Sequence, residues 1–432
     1  MNLAVKAWDI FLFFSFILFT SACEPNLKHQ IEYWSVGGAA DSDYNASELF
    51  NSRSTFDVET ISIPWTEHEK KILTAILSGN PPDIISEFAP VKLWASRSSL
   101  EPLDIYIEQD NFDTSKFFNI LWDDMKWQGK IYGIPLNTVS YAFFCNQDVF
   151  NELQIESLPK TWKQVRDVSK KMVTFDSNGF LNRVGYLPNY GNFRTSNVIA
   201  WQLGQKFIDK EDNVNFSSSE LQRSFSWVKN FIDEIGLDNV LQLMGTFGVG
   251  DQHGFISGKV AMMILDSSFP EVISRYNPKL NYKVIPIPSF EGSETVSSSG
   301  TWWVGIPKGA KNPRKAWEFI KFISDKENQI DYLNKTEESL LSANEEVALM
   351  RQSKEMPFGD IFISQLRVSK SPSIIPLAHD KFWEEYDRAE QRVIRNNANV
   401  SKVLSIAENQ IQLELNKSKK YYDFVSKKRL EK

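Results

Sequence analysis

Four histidines, two cysteines and scattered acidic pairs are the groups in this 432-residue chain that could run catalysis, and their spacing supports none of the common schemes. His68-Glu69 opens like the helix of a zinc protease, where a second histidine one turn on completes the metal site, but position 72 is Ile. His29, His68, His253 and His379 show no other metal-ligand spacing, so neither a metal nor a cofactor is expected. Gly248, Gly250 and Gly254 miss the dinucleotide fingerprint, and neither a phosphate loop nor a G-x-S-x-G elbow occurs. No Asp or Glu is marked as a general acid, although carboxylates paired for glycoside hydrolysis come from separate strands and leave no local signature. The chemistry left is that of binding, and 13 Trp supply aromatic surface for it.

The length suits two domains, each with its own core. Lys and Arg total 48 against 55 Asp and Glu, a formal charge of −7, and no large basic block occurs before the C-terminal tail. A nucleic-acid partner is therefore not expected. With only Cys23 and Cys145 there is no disulfide framework. Cys145 lies in an apolar run and is read as a buried small hydrophobe. Cys23 ends an N-terminal segment with signal-peptide proportions: Lys6, then the apolar run 10–19. Thr20-Ser21-Ala22-Cys23 resembles a bacterial lipobox with Thr where Leu is usual, which implies a signal over 1–22 and a lipid anchor on Cys23. Cleavage after Ala22 that leaves a free thiol is the alternative.

These groups need elements to position them, and the stretch 129–150 organises the chain. From 131 to 145 it carries no charged side chain, which reads as strand buried on both faces. It is long for one strand, and Pro135 cannot donate to a ladder, so a split between residues 135 and 138 is expected. Two buried strands in succession make this an interdomain crossing. Upstream, a strand over 31–38, another over 57–63, a helix opened by a Thr66/Glu69 capping box and stopped at Gly79, and a strand over 83–86 form parallel crossover units. Downstream, Thr161/Gln164 and Ser217/Glu220 cap two helices, and a helix over 197–204 carries Trp201. A buried strand opens into a loop at Asp266, and 297–300 reads as a flexible stretch before the apolar 301–307. Asn312-Pro313 starts a helix over 314–323. Beyond 325 the chain reads as charged helices, one capped by Ser342/Glu345 and two over 381–395 and 400–415, with pairs such as Glu384-Glu385 on solvated faces.

Several of these segments also carry a family resemblance. G-K-I-Y-G-I-P with F-F-C-N-Q-D-V-F (129–150), the motif over 64–85, P-K-T-W (159–162) and S-S-G-T-W-W-V-G-I-P-K-G with A-W-E-F-I-K-F-I resemble the family 1 extracellular solute-binding proteins, the sugar-capturing receptors of bacterial ABC importers. The resemblance implies an α/β, two-lobe periplasmic-binding-protein-like fold with discontinuous lobes joined by hinge crossings. Residues 23–137 plus 304–326 would form the N-lobe, and 138–303 plus 327–432 the C-lobe. The partners implied are a carbohydrate ligand, an ABC transporter permease and the membrane through Cys23. The expected molecule is a monomer that does not change its ligand chemically. A sugar offers apolar C–H faces to aromatic rings and hydroxyls to Asp, Asn, Glu or Arg. The candidates at strand ends and crossings are Trp34, Trp65, Ser86 and Glu87 on the N-lobe side, and Asn137, Tyr141, Trp302 and Trp303 at the crossings. Asn192, Trp201 and Asp266 would line the C-lobe side. Core packing is the alternative for each Trp, and one of Trp302 and Trp303 must face inward because strand neighbours point opposite ways. A receptor for another solute such as a sugar phosphate, or a glycoside-processing enzyme, remain the rival readings.

Overall fold

Alternation fixes the first strand, Gln30–Val36: Ile31 and Tyr33 are buried while Gln30 and Glu32 face water. Parallel partners flank it on both sides, Asp57–Ile63 and Ile84–Glu87. Helices Asp41–Asn51 and His68–Leu77 make the crossovers between them. Both units follow from the strand–helix–strand order. The structure is a computed structural model describing residues 30–36, 41–191, 193–290, 292–334, 340–351, 356–372 and 374–430, without the side chains of 41, 42, 351 and 425–430. The signal segment, Cys23 and Asn192 lie outside the described residues.

The expected split of the apolar run is not found. Ile134–Asn146 is one 13-residue strand. Its first part pairs antiparallel with Ser297–Gly305, and 141–146 pairs with Val260–Asp266 and Tyr282–Ile285. Pro135 is tolerated because the register shifts between Trp302 and Trp303, so the missing N–H falls at an irregularity. Residues 297–300, expected to be flexible, belong to the second long strand. That strand also pairs with Ile84–Glu87, and Val260–Asp266 carries Leu181–Tyr186 as its parallel neighbour. Hydrogen bonding therefore runs unbroken through both halves of the sheet, because the two crossing strands belong to each half.

Short polar side chains lock these crossings together. Buried Thr138 donates its hydroxyl to the Gly300 carbonyl at 2.8 Å, and Ser140 donates to the Phe362 carbonyl of helix Gly359–Arg367 at 2.6 Å. Beyond Ser140 the strand sends Phe143 and Cys145 into one core and Phe144 into another, all three fully buried, as expected for the cysteine. Each phenyl ring buried there contributes about 1.5–3 kcal/mol, so the strand is anchored by packing as well as by its ladder.

Several caps differ from expectation. Thr161 accepts from the Gln164 amide at 3.2 Å as the sequence implies. Thr66 caps nothing; helix His68–Leu77 starts after Glu67 without a side-chain cap. Ser218 rather than Ser217 caps helix Ser219–Ile235, since Ser217 hydrogen-bonds the Glu408 carboxylate. Asn344, not Ser342, accepts from the first amides of helix Glu345–Arg351.

The C-terminal quarter serves both halves. Helix Lys326–Asn334 packs on Asp41–Asn51, with the Tyr332 phenol donating to Asp43 at 3.0 Å, and strand Leu341–Ser342 pairs with Asn137 and Thr138. Helices His379–Arg395 and Val400–Leu430 then pack on each other and on Ser219–Ile235. Glu385, read as solvated, is instead 2% exposed and held by Lys381 and Arg388 at 2.7 Å each.

Candidate functional site

Where strand Ile84–Glu87 ends, the chain turns sharply beneath the second half of the molecule. Glu87 makes that turn: one carboxylate oxygen accepts the amides of Phe88 and Ala89 at 2.9 and 3.1 Å, and the other meets His68. Donating to that carboxylate raises the His68 pKa above its ordinary value. The turn presents Phe88 to a cavity of about 310 Å³ between the two halves. Its other walls are residues 298–301 of the second crossing strand, Tyr141 of the first, the segment around helix Thr195–Gln202, and the start of helix His379–Arg395. In a sheet of this kind a ligand crevice is expected beyond the carboxyl ends of the strands where the connection changes side.

The walls are mainly aromatic. Tyr141 packs on Phe193 with ring centroids 4.8 Å apart, and burial, aided by the Asp266 carboxylate, raises its phenol pKa. Trp201 and Trp383 line the cavity from two different helices. Trp303 forms part of the floor, is 1% exposed and donates its indole N–H to the Ala89 carbonyl at 2.7 Å. The charges present are compensated. Arg194 lies 4.7 Å from the Trp383 ring and is ion-paired with Asp387, while Asp124 is bound by Lys92 at 3.0 Å. Burial lowers the His379 pKa, keeping that imidazole neutral near pH 7. Among the described residues no cluster of three or more His, Cys, Asp or Glu could hold a metal ion.

Of the residues singled out from sequence, Tyr141, Trp201 and Trp303 reach this wall. Trp302 is half-buried, its ring 4.4 Å from Phe88, and Trp65 stands at the rim, 49% exposed and 5.9 Å from the same ring. Asn137 pairs with Trp302 across the crossing strands and is buried off the wall. Ser86 is buried near the Tyr33 phenol, and Glu87 is consumed by the turn and His68. Trp34 lies away from the cavity, with the Lys71 ammonium 5.0 Å from its ring. Asp266 caps its own turn, accepting from the Ser268 amide and hydroxyl at 2.9 and 2.6 Å.

Sequence reasoning missed Phe88, Phe193, Arg194, Asn197, His379 and Trp383. A signal existed for the last pair: His379, Trp383 and Glu390 recur at spacings that keep one helix face, but the surrounding charges hid it. Phe88 directly follows a named candidate and was reachable by the strand-end rule.

The model of the bacterial extracellular solute-binding protein family matches residues 39–330. The sn-glycerol-3-phosphate-binding periplasmic protein UgpB of Rhizobium meliloti is 23% identical over 331 residues, covering 72% of this chain and 75% of that protein. Among solved structures, CpMnBP1 with mannotriose bound aligns with a TM-score of 0.75 at 23% identity, covering 89% of this chain and all of that one. The sugar-binding protein MalE from Xanthomonas citri aligns with a TM-score of 0.75 at 19% identity, over 91% of this chain and 99% of its own. At these identities the alignments establish the two-lobe fold.

Proposed function

Since the chain belongs to the bacterial extracellular solute-binding proteins, we propose that it is the receptor of an ABC importer that captures a carbohydrate between its lobes and hands it to the permease. The observation that carries this reading is the wall of the interlobe cavity, where aromatic rings from five separate segments surround a few polar atoms. Rings cover the apolar faces of a sugar, while closure desolvates its hydroxyl contacts, so an ill-fitting hydroxyl costs about 1–3 kcal/mol. The molecule would release its ligand unchanged, work outside the cytoplasm as a monomer and be held at the membrane through Cys23. We place the lobe exchanges at 137/138 and 303/304. The packing of helix Lys326–Asn334 and strand Leu341–Ser342 on the first half favours a third exchange beyond them rather than at 326/327.

The glycerol-phosphate-binding relative raises a second reading, a phosphorylated ligand. A phosphate in a water-poor cleft needs a cation of its own. Arg194 on the wall is already ion-paired with Asp387, and Lys92, off the wall, with Asp124, so neither cation stands free for a phosphate. An uncharged carbohydrate fits better. Titrating the purified protein with mannobiose, maltose and glycerol 3-phosphate, while following Trp fluorescence and product formation, separates the readings. Saturable quenching by a neutral sugar without turnover supports the receptor. A response to glycerol 3-phosphate alone, or a released product, rejects it.

A further inference from the structure

Of the residues lining the cavity, Asn197 and His379 each carry a buried polar atom, Oδ1 and Nδ1, with no hydrogen-bond partner among the described residues, as does Ser299. Asn197 is only 5% exposed. A buried polar atom left unpaired costs its lost hydration, and native proteins keep few without a reason. Asn137, Ser267, Trp94 and Trp127 lie off the cavity wall. Ser299 lines it, but is paired with Ser140, whose hydroxyl turns to helix Gly359–Arg367, so the two share the face that this helix covers.

The surroundings of the two atoms repeat each other. Asn197 sits in the first turn of helix Thr195–Gln202, and Trp201 follows at i+4. His379 opens helix His379–Arg395, and Trp383 follows at i+4. Residues four apart share a helix face, so each helix brings to the same wall one side chain that carries an unpaired polar atom and one indole. An amide oxygen accepts from a hydroxyl, and a neutral imidazole nitrogen donates or accepts according to tautomer. Together they form two copies of the pairing that a sugar requires, an apolar face beside a hydroxyl.

We propose that Asn197 and His379 are the hydroxyl-reading, specificity-determining residues of the cleft, each working with the Trp one turn later. This rests on the carbohydrate reading above. No described residue hydrogen-bonds either atom, so the two functions can be separated experimentally.

The test uses Asn197→Leu and His379→Phe in the full-length protein, with two readouts. Thermal unfolding without sugar should show a Tm equal to or above that of the wild type, because an uncompensated polar atom has been removed. Titration with whichever of mannobiose, maltose and maltotetraose binds the wild type should show at least tenfold weaker binding for each variant. A Tm lowered by several degrees, or a variant that does not fold, would mean that these groups hold the structure together and would overturn the assignment. Affinities within twofold of the wild type would overturn it as well and leave the carbohydrate reading standing. A wild type that binds no neutral sugar removes that reading and this one together.

Discussion

Arg97, just past helix Val91–Ser96 on the first half, reaches Asp380 of helix His379–Arg395 on the second, with Nη2 and Oδ2 2.7 Å apart. The same guanidinium binds Glu69, so one side chain ties both halves at the mouth of the cavity.

Arg97→Ala is expected to loosen closure without disturbing the fold. The Asp380 carboxylate is 69% exposed, and such pairs are worth about 0.2–1 kcal/mol. Ligand affinity should fall no more than about fivefold, mainly through faster dissociation, and the difference should shrink in high salt. Stopped-flow fluorescence at two ionic strengths measures both effects, and a salt-independent loss would count against a latch.

Trp302 and Trp303 should separate cleanly. Trp303→Ala removes a fully buried indole and orphans the Ala89 carbonyl, so stability should fall by about 3–5 kcal/mol in denaturant titration. Trp302→Ala removes a half-buried ring that backs Phe88, and should weaken binding with a smaller stability cost. Equal stability losses in the two variants would contradict this division.

Two glycines differ in what a methyl group would meet. At Gly185 a Cβ would overlap the backbone Cα of Ser169, which cannot move without shifting helix Trp162–Met172. Gly185→Ala should therefore destabilise the fold by several kcal/mol. At Gly300 the obstacle is the Phe88 ring, a side chain that can rotate away. Gly300→Ala should keep most of the stability and lose affinity, because the displaced ring belongs to the cavity wall. Parallel melting and ligand titrations test the pair.

Glu390 gives a pH signature. Burial pushes its pKa up to about 7, although Ser196 and Asn189 both donate to its carboxylate. The folded state thus holds a proton that the unfolded chain releases near pH 4.5. Stability from this group is full below that value and is lost as pH rises towards 7, by an amount on the order of 3 kcal/mol. Glu390→Gln should abolish this slope and be more stable than the wild type above pH 7. Unfolding free energies measured from pH 5 to 8 for both proteins decide it, and parallel curves would contradict the assignment.

The architecture was legible because each decisive segment declares itself locally. Alternation over 30–36, the Thr161 cap and the uncharged run to Cys145 depend on neighbours in sequence. The continuity of Ile134–Asn146 was not legible, since the irregularity that accommodates Pro135 is created by Trp302 and Trp303, far along the chain. The cavity wall was harder still. Tyr141, Trp201 and Trp303 were reachable from strand ends and helix patterns, whereas His379 and Trp383 lie in a helix whose charges pair among themselves and imitate a solvated surface. The carboxylates of Asp266 and Glu87 satisfy backbone amides at turns, a use that leaves no mark in the local sequence.

A crystal structure grown with the tightest-binding neutral sugar shows where the ligand sits. Ligand density should fill the cavity between Phe88, Trp201 and Trp383, with its hydroxyls beside Asn197 and His379. Density at any other place, with this cavity left to solvent, would contradict the account.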